Sequence, residues 1–535
     1  MKITRKEGLV LCGIVLLAMG LKLILLLKGV IPFNADEAVV GLMARHILEG
    51  ERPIFFYGQA YMGSLDAFLV AAGFWAFGTQ IWVIRLVQAV LYAFVLITTY
   101  FVAKTIFDNA KAALLSVALL AIPTVNVTLY TTATLGGYNE ALLIGNLILL
   151  CGLLFIKYTA HPVMGNNSWW LLLLTGFWMG CGLWANGLTL IYSLPMGVVL
   201  LYEIIFKLHW HPWQRTLTLV TGTLMGSFPW WLYAIQTGPA QLVRELLGNA
   251  VAVEQGSWFG QVASHLVNLL LLGLPVTLGF RPPWDVRLLI LPLVPFVLEF
   301  WLGVIVVFWR HKERSDVERI GRWVLAGVAA TLIAGFLFTP FGVDPSGRYF
   351  LPLTVILAIF AGQACSTLKI RNAYQYALIA LVILYQGLGT LDCVLHNPPG
   401  LTTQFYAATI IDHDQDQTLI DFLTAHGETR GYTTYWVAYP LAFLSDEQLI
   451  FVPELPYHPD LIYTARDDRY HPYDEMVDMS DRVAYISAGN PNLDVKITDG
   501  LNTLKVTWKM ETIGDYHVYY QLSRVVTPAE LGLSH

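Results

Sequence analysis

Residues 8–28 read GLVLCGIVLLAMGLKLILLLK, an almost unbroken apolar run. About twenty such residues in a helix cross the hydrocarbon core of a bilayer. The run follows Lys2, Arg5 and Lys6, and it has spanning length rather than the shorter apolar core of a cleaved signal. It reads as a retained first helix. The rest of the chain repeats the pattern: of 535 residues, 56% are hydrophobic and only 13% are charged, and the mean hydropathy is +0.57. That composition excludes an ordinary soluble domain and marks an integral membrane protein. No basic, aromatic-interleaved patch accompanies the net charge of −6, so nucleic acid is not a partner. Cys12, Cys151, Cys181, Cys365 and Cys393 all fall in apolar runs and read as small core residues, with neither disulfide nor metal spacing.

Comparable runs lie at 81–106, 111–129, 139–157, 168–186, 188–207, 215–235, 288–309, 320–340, 349–368 and 373–396. Two others are ambiguous. The run at 64–79 is short and carries Asp66; that at 260–280 is interrupted by His265, Asn268 and Pro275. Basic residues favour the cytoplasmic side, which decides both. Lys2, Arg5 and Lys6 hold the N-terminus inside, so the first span delivers Asp36 and Glu37 outside. Lys104 and Lys111 belong inside, which makes 64–79 an interfacial or half-inserted helix. The cluster Arg310-His311-Lys312-Glu313-Arg314, with Arg319 and Arg322, also belongs inside, which makes 260–280 a re-entrant or surface helix of the outer face. The fold class is therefore a polytopic α-helical membrane protein of about eleven spans. Its transmembrane domain covers 1–398, with a first outer loop at 29–80. Near 400 the composition changes. An amphipathic helix over 417–426 ends at Gly427, and strand-like runs follow at 431–436, 448–452, 482–487, 503–508 and 516–522. This implies a small α/β domain over 399–535 outside the membrane.

The chemistry-bearing residues collect on the outer face. Phe33-Asn34-Ala35-Asp36-Glu37-Ala38 follows the first span, and a carboxylate pair beside a bilayer is costly unless solvated, paired or used. The plain reading is that the acids favour the N-terminus of a helix starting near Glu37. The functional reading is that a carboxylate in a partly dry cleft accepts the proton of a hydroxyl group. Phe55-Phe56-Tyr57-Gly58-Gln59-Ala60-Tyr61-Met62-Gly63-Ser64-Leu65-Asp66 reads as the wall of the same site, with Tyr57, Gln59, Tyr61 and Asp66 toward substrate. Arg348, in Asp344-Pro345-Ser346-Gly347-Arg348-Tyr349, either snorkels to headgroups or offers its planar fork to a lipid phosphate. Arg85 lies within a span, where an arginine needs a partner; a carboxylate of the first loop would serve. Glu140 either caps its helix or touches substrate. His209-Trp210-His211 reads as an interfacial anchor because no third metal ligand is near. The sequons at Asn126 and Asn166 fall in a span and inside, and read as chance matches.

Taken in order, these motifs resemble the polytopic glycosyltransferases of the C superfamily, and within them the branch of protein O-mannosyltransferases and lipid A aminoarabinose transferases. Three features carry the resemblance: Asp36-Glu37 just outside the first helix, the Tyr57–Gly63 loop leading to Arg85-Leu86, and Arg348-Tyr349-Phe350-Leu351-Pro352 opening a late span. The middle spans match in hydropathy only. The resemblance implies a sugar donor on a polyprenyl phosphate and a hydroxyl acceptor. It implies transfer with inversion on the extracytoplasmic face of the plasma membrane. By position, Asp36 would be the general base and Glu37 would orient it; Arg348, Arg85 and Tyr349 would hold the donor phosphate. The chain departs from the aminoarabinose transferases at Gly63-Ser64-Leu65-Asp66, where they carry an acidic-Lys-Pro-Pro run; this argues against lipid A as acceptor. The chemistry agrees with this reading: a phosphate monoester leaves as a stable anion, so the demand is for a base at the acceptor and cations at the phosphate. A divalent cation could replace the arginines, but no run resembles a dedicated cation cage. The main alternative, a transporter or lipid-linked-sugar flippase, would place ionisable residues deep in several spans and break its helices at the midplane.

Overall fold

The computed structural model describes residues 3–159, 168–208, 211–249, 256–397, 400–458 and 460–533. The chain forms two compact units. One comprises Met1–Lys28, Tyr61–Leu65 and Arg85–His396; the other comprises Gly29–Ala60, Asp66–Ile84 and Asn397–His535. The division expected at 398/399 compares with a unit boundary between His396 and Asn397, and most of the first outer loop, Gly29–Ala60 and Asp66–Ile84, falls in the second unit.

The first unit carries the membrane helices. Among the described residues nine helices are long and apolar enough to cross a bilayer: Arg5–Leu27, Ile81–Phe107, Tyr138–Thr159, Gly187–Lys207, Trp258–Thr277, Leu291–Arg310, Asp316–Phe338, Arg348–Thr367 and Asn372–His396. Eight of these were expected. The ninth, Trp258–Thr277, covers most of the segment expected to form a re-entrant or surface helix, and it too has spanning length. His265 and Asn268 do not break it because both turn inward: His265 Nδ1 bonds the Leu337 carbonyl at 2.9 Å, and Asn268 Nδ2 bonds the Gly342 carbonyl at 2.9 Å. Two expected spans are broken in two. The 111–129 run divides into Ala110–Ala121 and Val125–Tyr130 at Pro123, which forces Ile122 out of helical geometry. The 215–235 run divides into Pro212–Gly226 and Phe228–Thr237, where Pro229 lacks the amide and crowds the preceding turn. Trp169–Ala185 packs face to face on Pro212–Gly226 through Gly176 and Gly180 on one helix and Gly222 and Gly226 on the other. A Cβ at any of the four would strike a carbonyl of the facing helix. Small residues four apart let helix backbones approach closely where lipid supplies no hydrophobic drive.

The second unit is an α/β body. Phe55–Phe56 (β1) and Gln59–Gly63 (β2) form a small hairpin; the main sheet uses Arg430–Tyr432 (β3), Ile450–Val452 (β4), Ala484–Ala488 (β5), Lys509–Ile513 (β6) and Tyr516–Tyr520 (β7). Its order is β4-β3-β5-β7-β6. β3 is parallel to β4 and β5, while β7 is antiparallel to β5 and β6. The amphipathic helix Asp416–His426 ends at Gly427 in the left-handed region, as expected. Two expectations fail. The 431–436 strand stops at Tyr432 and a helix, Tyr435–Leu444, follows; strand 503–508 is displaced to Lys509–Ile513. Tyr435–Leu444 is buried on nearly every side, so it carries no amphipathic period to read. It packs on Ala35–Glu49, with Phe443 between Phe33 and Phe74 at ring distances of 5.3 and 6.3 Å. Arg45 pairs with Asp446 at 2.9 Å and Glu447 at 3.3 Å to lock the same two helices.

Candidate active site

Within the second unit, Asp36 and Glu37 occupy the first turn of Ala35–Glu49. The cap itself is Asn34, whose Oδ1 accepts the Glu37 amide at 3.1 Å. The acids are therefore free of the capping duty, although they do sit where the helix dipole favours negative charge. Glu37 is fully buried, which corrects the picture of a solvated loop pair. Asp36 is half-buried, and its Oδ1 accepts a hydrogen bond from the Tyr435 hydroxyl at 2.6 Å. Burial and then the Asp36 charge push the Tyr435 hydroxyl well above its ordinary range, so it serves as a neutral donor. The Arg469 guanidinium lies 5.3 Å from the Tyr435 ring centroid. Burial opposes its charge, but Tyr435, Asp36 and Asp467 outweigh burial and hold Arg469 above its ordinary range. Asp467 is itself buried, which drives its carboxyl up to about 6 against the pull of Arg469.

The remaining predicted residues of this unit take other places. Tyr57 donates to Glu51 at 2.6 Å, contacts His46 Nδ1 at 2.9 Å and stacks on Tyr470 at 4.7 Å. Its hydroxyl thus belongs to a network that continues from His46 Nε2 to Glu447 at 2.9 Å. Burial works against the Glu447 charge, yet His46, Tyr473 and Arg45 outweigh it and draw the group down to about 2. Gly58 has φ +70, and a Cβ there would stand 3.1 Å from Arg469 Cδ, so the aromatic-glycine turn is shaped to admit Arg469. Gln59 opens β2, and Asp66 is buried in the first turn of Leu65–Phe77.

In the first unit, Arg348 and Tyr349 open the Arg348–Thr367 span. Arg348 does not simply snorkel: its Nη2 pairs with Asp344 at 2.6 Å and its guanidinium lies 5.1 Å from the Tyr349 ring. Its Nε is buried with no hydrogen-bond partner among the described residues. The loop before it is rigid. Gly347 has φ +80 and abuts Val276, its carbonyl accepts Asn126 Nδ2 at 3.2 Å, and Asp344 Oδ1 caps Ser346 N at 2.7 Å. Arg281 donates to the carbonyls of Leu272, Pro282, Asp285 and Pro345. Tyr349 and Tyr61 both line a cavity of about 260 Å³ whose walls are otherwise largely apolar, with Tyr138, Leu332 and Phe336 among them. Arg85 is buried on Ile81–Phe107, and Glu140 is buried in the first turn of Tyr138–Thr159.

Four residues escaped sequence reasoning. Tyr435 and Arg469 lie some four hundred residues from Asp36 in the chain and carry no local signal. Arg281 follows the 260–280 run and was not singled out. Lys22 did carry a signal, an ionisable group inside the first span; it is buried and donates to Thr131 O at 2.6 Å, Thr131 Oγ1 at 2.7 Å and Thr132 Oγ1 at 2.9 Å. For metal, the described residues hold one convergent group, Asp468, His471 and Asp474. Its members pair among themselves, His471 Nδ1 lying 2.6 Å from Asp468 and 3.3 Å from Asp474. Asn166, Asn167, His209 and Trp210 lie outside the described residues; Asn126 is buried, in keeping with a chance sequon.

No curated protein matches the chain by sequence. Residues 57–241 match the family model described as dolichyl-phosphate-mannose-protein mannosyltransferase. The fold is similar to that of ArnT from Cupriavidus metallidurans bound to undecaprenyl phosphate, with TM-score 0.59 and 14% identity, over 96% of this chain and 99% of that one. It is also similar to the Archaeoglobus fulgidus oligosaccharyltransferase, with TM-score 0.53 and 13% identity, over 90% of this chain and 69% of that one. The chain thus carries a segment similar to that family, and it shares its fold with these two proteins along nearly its whole length.

Proposed function

We propose that the protein moves a sugar from a polyprenyl-phosphate carrier to a hydroxyl acceptor, with inversion, on the extracytoplasmic face of the plasma membrane. The observation that carries this reading is the Arg348 Nε, buried without a partner beside an apolar cavity lined by Tyr349. A buried donor left unpaired costs about 1–3 kcal/mol, and a phosphate oxygen would relieve that cost. The apolar walls suit the isoprenoid tail. The lipid-bound ArnT and an Archaeoglobus fulgidus oligosaccharyltransferase solved with a dolichol phosphate support the same carrier class. In the reaction, the acceptor oxygen attacks the anomeric carbon and the bond from that carbon to the phosphate oxygen breaks. The acceptor proton passes to Asp36 and the polyprenyl phosphate departs as an anion. The electron pair of the broken bond stays on phosphate, where Arg348 holds it.

The test is transfer from a purified lipid-linked sugar. Asp36→Asn keeps the shape and loses the base, so turnover should fall about 10²–10⁴-fold. Donor binding and the thermal midpoint should stay near wild type. Near-full transfer by Asp36→Asn alongside loss in Asp66→Asn would move the base to Asp66.

A further inference from the structure

The role of the C-terminal region is the question the reaction leaves open. Its residues reach Asp36 within one compact unit. Tyr435 heads the buried helix Tyr435–Leu444 and donates to Asp36 Oδ1 at 2.6 Å. Arg469 comes from the loop before Pro472–Asp478, with its guanidinium 5.3 Å from the Tyr435 ring. Its backbone amide donates to the Tyr439 hydroxyl at 2.6 Å, one turn along the same helix, and Tyr439 donates to the Asp467 carbonyl at 3.1 Å. The loop, the helix and the carboxylate therefore hold one another.

We propose that Tyr435 and Arg469 are positioning residues for the base: Tyr435, with the Arg469 guanidinium beside its ring, fixes the Asp36 carboxylate through Oδ1 and leaves Oδ2 as the oxygen that takes the acceptor proton. The C-terminal region thereby completes the active site. This inference rests on the reading of Asp36 as the base. A carboxylate held through one oxygen has a defined orientation, and its other oxygen is then aligned for proton transfer at hydrogen-bond distance. The titratable and charged groups around the carboxylate are Tyr435, Arg469, buried Asp467 and the neighbouring Glu37. The positive face of this set comes from beyond residue 400.

The experiment measures kcat, KM and the pH dependence of kcat/KM for full-length Asp36→Asn, Tyr435→Phe, Arg469→Gln and Arg469→Lys. Tyr435→Phe removes a hydrogen bond to a charged group, so the acidic limb should move up by about one to two pH units. The sign follows because a carboxylate that loses a donor holds its proton to higher pH. On the high-pH plateau kcat should remain about tenfold low, since alignment is lost at every pH. Arg469→Gln should move the limb the same way, and Arg469→Lys should return it toward wild type. Donor KM should be unchanged in all. If Asp36→Asn is inactive while Tyr435→Phe and both Arg469 variants keep the wild-type limb and kcat, the positioning role is overturned and the base reading stands. If Asp36→Asn is active, the base reading itself falls. Should Tyr435→Phe lower the thermal midpoint, the Gln and Lys pair at Arg469 decides alone, because a folding role would not separate them by charge.

Discussion

Single residues show how far a position in the sequence can mislead about a role. Asp36 and Glu37 are neighbours in the chain and opposites in the structure: one is half-buried and hydrogen-bonded through a carboxylate oxygen, the other is fully enclosed. Helix geometry separates adjacent side chains by about 100°, so two neighbours at a helix start face different surroundings. Arg348 could be read only as snorkelling or phosphate-binding. In the structure it pairs with Asp344 and lies against the Tyr349 ring. Arg348→Ala should raise the KM for the lipid-linked sugar roughly ten- to a hundredfold, the worth of hydrogen bonds to a charged group. Arg348→Lys should recover part of that, because the ammonium keeps the charge and loses the planar fork. Donor saturation curves for both variants check this, and wild-type curves in both would remove Arg348 from the donor site.

At the scale of elements, hydropathy located most helices and missed their interruptions and their contacts. Pro123 and Pro229 were visible in the sequence, yet an apolar window averages over a proline, so two runs were taken as whole. The pairs Gly176/Gly180 and Gly222/Gly226 were equally visible. Their meaning depends on the two helices facing one another, which spacing alone does not reveal. The prediction here concerns stability. Gly222→Leu should drive Pro212–Gly226 away from Trp169–Ala185 and lower the thermal midpoint in detergent, at a cost of about 1–3 kcal/mol or more. A surface substitution such as Thr218→Leu, at a partner-free exposed hydroxyl of the same helix apart from its own turn, should leave the midpoint nearly unchanged. Equal midpoints for the two variants would show that the glycine contact is not tight. The helix Tyr435–Leu444 was missed for a different reason: an element buried all round shows no period, and Tyr, Trp and Val at its start favour a strand by local preference.

For the whole molecule, the proposed orientation across the membrane rests on charge. It requires the loop of Arg310, Lys312, Arg314 and Arg319 in the cytoplasm, the side basic residues favour, and the C-terminal region outside. Glu511 sits exposed on β6, whereas Ser487 lies buried in β5 and would be a poor reporter. With Cys12, the exposed native cysteine, replaced by serine, Glu511→Cys should react with an impermeant thiol reagent in intact cells. Reaction only after permeabilisation would place the C-terminal region inside and refute the proposed face. What the sequence determined by itself is the class of the protein, because that depends on a sum over residues: apolar length against bilayer thickness. It also pointed to Asp36 and Arg348, since a charge beside lipid needs a reason. Only the tertiary structure decided which partners those charges have. Tyr435 and Arg469 reach Asp36 across some four hundred residues, through a sheet and a buried helix whose packing no local pattern encodes. A hydrogen bond is set by angstroms, and angstroms between distant residues are fixed by the packing of the folded chain.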